Sequence, residues 1–166
     1  MSMTEETLKI RIAQPQDVDA IMKLALAACE ENGFVDPNPV KLLKEIWPAL
    51  QRDHGICGMI DGKDGEAEGA ILLRVGQMWY SDQEVLEEKA IFIHPDFRNA
   101  KGGRARMMCE FAKQVADSLK IPLIIGVLSN HRTEAKVRLY ERQFGKPSGA
   151  FFLYGAETGN FRNLEH

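Results

Sequence analysis

Hydrophobic and polar residues change their spacing several times along this chain, and each change marks an element. Leu8, Ile10 and Ile12 alternate with Lys9 and Arg11, the period of a half-buried strand over about 8–13. From Pro15 the period lengthens. Val18, Ile21, Met22, Ala25 and Cys29 share one face of a helix that runs to about residue 31. Pro15 sits in its first turn, Asp17 and Asp19 lie at its positive end, and Asn32-Gly33 stops it. After the prolines of "DPNPV", the residues Val40, Leu43, Ile46 and Trp47 repeat the helical spacing and predict a second, shorter helix packed on the first. "GICGMI" and "GEAEGAILLRVG" then read as two antiparallel strands around the Gly- and Asp-rich turn "DGKDGEAEG".

"EEKAIFIH" is the next strand, ended by Pro95. "GGRARMMCEFAKQVADSL" carries the strongest helical pattern, with Met107, Met108, Phe111, Val115 and Leu119 on one side. "PLIIGVL" is too apolar for an edge and reads as a buried strand, parallel to the strand before that helix. "RTEAKVRLYERQFG" predicts a helix ending at Gly145, and "GAFFLYG" a final strand. The order is β-α-α-β-β-β-α-β-α-β, an α/β (α+β) pattern without an internal repeat.

A length of 166 residues fits one domain, with its core over about 8–154. The final Leu164-Glu165-His166 has the look of a vector-encoded tag, which removes His166 from site reasoning. Lys plus Arg is 21 against 24 for Asp plus Glu, so a net charge of -3 gives no general attraction to nucleic acid or an anionic membrane. Any anion site must be local. Cys29, Cys57 and Cys109 are odd in number and lie in apolar surroundings, as reduced thiols of a cytoplasmic protein do. Cys109, on the apolar side of the main helix, reads as buried rather than nucleophilic. The start "MSMTEETLKI" lacks signal-peptide order, and no apolar run approaches the ~20 residues of a membrane helix. His54, His94 and His131 have no metal-ligand spacing, and "DGKDG" has too few oxygen ligands for a calcium loop, so no metal is expected.

One stretch concentrates chemistry. In "RNAKGGRA", between a strand and the longest helix, Gly102 and Gly103 let a ligand approach the backbone. Arg98, Lys101, Arg104 and Arg106 put four cations in nine residues with no acidic residue among them. Neither G-x-x-x-x-G-K-[ST] nor G-x-G-x-x-G is present, which argues against ATP and NAD. A phosphate cradle and a plain basic turn both remain open at this level.

"IFIHPDFRNAKGGRA" resembles motif A of the GNAT superfamily of acetyl-CoA-dependent N-acetyltransferases: a strand, a Pro near its end, then R/Q-x-x-G-x-G/A opening a long helix. The resemblance extends through the order of elements over about 8–154. It implies a mixed, mostly antiparallel sheet whose central strands splay to admit acetyl-CoA as cosubstrate. Ile91, Phe92 and Ile93 would line the pantetheine arm, and Arg98, Asn99, Ala100, Lys101, Gly102, Gly103, Arg104 and Ala105 would wrap the pyrophosphate. Lys101 stands where the family usually has its first Gly, and Gly103 keeps the second. Lys101 with ordinary negative φ would still donate its N–H, with Gly102 supplying the permissive backbone.

The resemblance also implies direct acetyl transfer to a primary amine of a small molecule or protein, with no covalent enzyme intermediate. The family's base, eleven residues before the loop's first Arg, falls on Glu87; Glu88 is the adjacent rival on the opposite face of the strand, and both also read as exposed carboxylates. The family's acid, a Tyr in N-x-x-A-x-x-L-Y, falls on Tyr140, where Thr133 replaces the Asn and Lys136 the Ala; a core aromatic is the plainer reading. The implied partners are acetyl-CoA and an amine acceptor, with a homodimer also open. Residues 30–55 and 76–84, including the exposed loop "MWYSDQ", are where the acceptor would enter, and they show no decisive chemistry. The imperfect second motif favours an alternative, a non-catalytic acyl-CoA sensor or interaction module of the same fold. A nucleic-acid-binding domain is disfavoured by the charge.

Overall fold

The computed structural model describes residues 9–98, 103–129 and 133–155. The alternating start forms β1, Ile10–Ile12. Its outward Arg11 fastens the chain in two directions, to Asp17 at 2.9 Å and to Asp61 at 2.7 Å. A 3₁₀ turn at Pro15–Asp17 leads into α1, Val18–Asn32, which Gly33 ends in the left-handed region at φ 63° while its N–H returns to the Cys29 carbonyl at 3.0 Å. Helix α2, Pro39–Leu50, starts on Asn38, whose side chain accepts the N–H groups of Val40 and Lys41 at 3.0 and 3.3 Å. It buries Ile46, Ala49 and Leu50. Val40, Leu43 and Trp47, expected on the inner face together with Ile46, are instead 64%, 40% and 38% exposed. Only one row of an α-helix can meet a flat neighbour, and here the row is Leu42, Ile46 and Leu50.

Strands β2, Gly55–Asp61, β3, Ala67–Gln77, and β4, Glu84–Ile93, follow as an antiparallel meander. Helix α3, Arg104–Leu119, crosses the sheet and returns the chain as β5, Leu123–Ile124, parallel to β4. The sheet order is β1-β2-β3-β4-β5, and α4, Thr133–Phe144, lies beside α3 and closes at Gly145 with φ 94°. Alternate residues of the central strands feed two cores. Cys57 and Met59 pack under α1 and α2, whereas Ile56, Ile60, Ile71, Leu73 and Leu86 meet Met108, Phe111, Ala112 and Ala116 of α3. Gly58 permits this approach, because a Cβ there would lie 2.8 Å from Ile10 Cδ1 and 2.9 Å from Phe111 Cε1. Among the described residues no helix is long and apolar enough to cross a membrane.

Two expectations change at the far edge. The "PLIIGVL" strand is a two-residue edge rather than a buried strand, with Ile124 38% exposed. Leu123 packs against the α3-side core, whereas Ile124, Ile125, Val127 and Leu128 line a cleft, and that accounts for their apolar character. The final strand expected in "GAFFLYG" does not form; Phe151, Phe152 and Tyr154 are 79%, 92% and 101% exposed along an unpaired stretch. A strand requires a neighbour, and two residues of β5 offer almost no ladder for one.

Candidate active site

The sheet parts where its two parallel strands meet. β4 and β5 are in register only at Leu86 with Leu123 and Glu87 with Ile124. Beyond that fork β4 runs on to Ile93 while residues 125–128 diverge, and a cleft of about 840 Å³ opens between them. This size suits a ligand of cofactor dimensions. β4 is also irregular there: Glu88 pairs with Leu73 and Ala90 with Leu72, so Lys89 is the extra residue of a bulge. After the bulge Ile91 and Ile93 turn toward α3, Phe92 turns toward α1, and the β5-facing edge of β4 has no strand partner among the described residues. All three residues line the cleft.

At one end of the cleft stand the loop and the N-terminus of α3. Gly103, at φ 64°, occupies the left-handed N-cap position, and its carbonyl accepts the Met107 N–H at 2.9 Å. No side chain caps this helix among the described residues, so the N–H groups of Arg104, Ala105 and Arg106 fall on cleft-lining residues at the positive end of the helix dipole. Asn99, Ala100, Lys101 and Gly102 lie outside the described residues.

Three of the four basic side chains have acidic partners that the loop's own sequence does not show. Arg98 forms a two-pronged ion pair with Glu31 of α1, donates from Nε to the Ile93 carbonyl at 3.0 Å and lies 5.1 Å over the Phe92 ring. Arg104 is buried, pairs with Glu68 at 2.9 Å and stacks 4.9 Å over Phe97. Arg106 reaches Glu110 one helical turn on at 3.2 Å. The carboxylates missing from the loop's own sequence arrive from 67 and 36 residues away, so these arginines are tied into the protein.

At the fork end the adjacent glutamates separate, as their strand spacing requires. Glu87 pairs across the sheet with Arg74 on the α1 and α2 side, where Arg74 also donates to the Glu45 carbonyl at 3.4 Å. Its carboxylate is held by Lys89 at 2.8 Å and passes over Gly76. Glu88 pairs with Leu73, a residue of the α3-side core. Burial pushes its carboxyl up to about 7, opposed by the Gly126 backbone and by the charges of Lys136 and Lys89. On α4, Tyr140 lines the same cleft and packs edge-on to Phe144. Burial raises its phenol above the ordinary range, and the charges of Glu88 and Cys109 raise it further. Cys109 is fully buried, and that burial pushes its thiol up to about 11.

The structure therefore brings Glu87, Tyr140, the end of β4 and the start of α3 to one cleft, together with two groups the sequence underweights. Glu88 was legible only as a neighbour of Glu87. Lys136, noted only as a departure from a small residue, lines the cleft and donates to Ser129 Oγ at 3.3 Å. Thr133, the other departure, donates to the Ser129 carbonyl at 2.9 Å. Outside the cleft, Trp79 and Tyr80 form an exposed edge-to-face pair at 5.5 Å, beside the cleft-lining Met78.

No family model matches the chain, and no curated protein matches its sequence. Solved structures do. A possible acetyltransferase from Clostridium difficile 630 superposes with a TM-score of 0.66 at 16% identity, over 90% of this chain and 97% of that one. The aminoglycoside N-acetyltransferase AAC(6')-Iy in complex with CoA gives 0.67 at 15% identity, over 93% and 97%. The same enzyme with the bisubstrate analog CoA-S-monomethyl-acetylneamine gives 0.66 at 17% identity, over 89% and 96%. Likeness at this level of identity is likeness of fold, and the fold of this chain is that of the GNAT-like acetyltransferases.

Proposed function

We propose that this protein transfers an acetyl group from acetyl-CoA to a primary amine by direct attack within a ternary complex. The observation that carries the reading is the cleft at the β4–β5 fork, which joins the N-terminus of α3 at one end to a carboxylate and a phenol at the other. The pyrophosphate of CoA would lie against the N–H groups of Gly103, Arg104 and Ala105, with Asn99 to Gly102 completing the loop. The pantetheine amides would pair with the open main-chain edge of Ile91, Phe92 and Ile93, as an added strand would. The thioester then comes to the fork. That the solved relatives include an enzyme bound to CoA and to a CoA bisubstrate analog supports this occupant.

Attack requires the amine in its neutral form. Glu87, oriented by Lys89, takes the proton as the nitrogen bonds to the thioester carbon. Collapse breaks the C–S bond, and Tyr140 gives its proton to the departing thiolate. Holding both reactants at the fork supplies much of the remaining acceleration. The acceptor enters from the side of α1, α2 and the turn bearing Trp79 and Tyr80.

The test is calorimetry with acetyl-CoA, followed by thiol release across polyamines, aminoglycosides, amino acids and peptide N-termini. Binding with turnover of one acceptor class is expected. Tight binding without thiol release across the panel would identify a sensor, and absence of binding would end the reading.

A further inference from the structure

Resting on the acetyltransferase reading, we infer that Glu88 is the proton reservoir behind Tyr140, refilling the phenol after it has protonated the thiolate. The two neighbouring glutamates of β4 then divide the reaction between the faces of one strand, with Glu87 on the amine side and Glu88 on the thiol side.

Three features place Glu88 in this role. Its register opposite Leu73 puts it on the face where α3 and α4 lie, and it lines the cleft with Tyr140. It stands one residue beyond the last β4–β5 pair, where the strands separate, and the Gly126 backbone across the fork acts on its carboxyl. It is also close enough to Tyr140 for its charge to act on the phenol. The groups around it are Lys136 and Tyr140 from α4, Cys109 from α3, and Lys89 from its own strand.

The need for a reservoir follows from charge. If Glu88 is ionised, transfer of the Tyr140 proton to sulfur leaves a phenolate beside a carboxylate, two like charges in a half-buried site. If Glu88 is protonated, the phenolate forms beside a neutral acid and regains its proton from it. The sequence balances. The amine nitrogen bonds to carbon and its proton passes to Glu87; the C–S bond breaks and sulfur takes the Tyr140 proton. Tyr140 takes the Glu88 proton, after which Glu87 releases one proton to water and Glu88 recovers one. A carboxyl that burial keeps protonated up to about pH 7 is suited to this duty.

Acting through Tyr140, Glu88 is a positioning residue, and the experiment is a pH–rate profile for the intact protein with acetyl-CoA and spermidine, or the fastest amine of the panel. Glu88→Gln keeps an oxygen for the Gly126 backbone but has no proton to give. Its kcat is expected to fall at least about tenfold, with acetyl-CoA affinity unchanged. The decline of wild-type kcat above about pH 7 should vanish in it, and Glu88→Asp should restore part of both. The double variant with Tyr140→Phe should be no slower than Tyr140→Phe alone. Among the three tyrosines, Tyr140 should form its phenolate at lower pH in Glu88→Gln than in the wild type. An active wild type with an unchanged Glu88→Gln profile, or rate losses that multiply in the double variant, overturns the reservoir alone. A wild type without thiol release overturns the acetyltransferase reading and the reservoir with it.

Discussion

A methyl group at position 76 would lie 3.1 Å from Oε1 of Glu87, and this close approach is what lets the carboxylate rest on β3 within reach of Lys89. Gly76→Ala should therefore move the carboxylate without touching the rest of the cleft. The expected outcome is a fall in kcat of about tenfold with acetyl-CoA affinity intact, since a small displacement of a proton acceptor costs rate and not cofactor binding. Glu87→Gln, which keeps the shape and removes the base, should lower kcat about 10²-fold or more under the same conditions. Turnover measured beside calorimetric affinity separates the two effects. If Gly76→Ala weakened acetyl-CoA instead, position 76 would belong to the cofactor side of the fork.

At the scale of elements, the arginines that open α3 differ in kind although the sequence presents them as one cluster. Arg104 is 9% exposed against a Glu68 side chain at 15%, whereas Arg106 is 69% exposed and pairs within its own helix. Removing one partner of a buried pair strands the other charge, so Arg104→Ala should cost about 3 kcal/mol in urea unfolding. Arg106→Ala should cost about 0.3 kcal/mol, the value of an exposed i, i+4 pair. The same contrast explains what sequence could and could not reveal. The ends of α1 and α4 were legible because Gly33 and Gly145 act on their own neighbours. The partners of Arg98 and Arg104 were not, because Glu31 and Glu68 reach them only through the fold. Glu87 and Glu88 could be set on opposite faces by strand periodicity, but not which face holds Tyr140. Residues 122–128 read as a buried strand because a cleft lining and a core are equally apolar.

For the molecule as a whole, the two cores meet at a sheet whose outer fastening and inner fork carry groups shifted in opposite directions. Asp17 is held below its ordinary 3.8, first by the Arg11 guanidinium and then by the Gln14 N–H. Its contribution to stability is complete above that value and is lost as pH falls through the lower folded one. Glu88 is raised from 4.5 to about 7 by burial, so the folded state holds a proton that the unfolded state releases. Its contribution is complete below 4.5 and is lost as pH rises through about 7. Stability should therefore peak between these windows, on the acid side of neutrality. Thermal unfolding across pH checks each limb separately: Asp17→Asn should flatten the acid limb and leave the other unchanged. Glu88→Gln should flatten the decline toward pH 7 and be more stable than the wild type above it, because it replaces a carboxylate that burial opposes. That gain would coincide with lost turnover, the pattern of a residue whose buried acid serves the reaction at the expense of the fold.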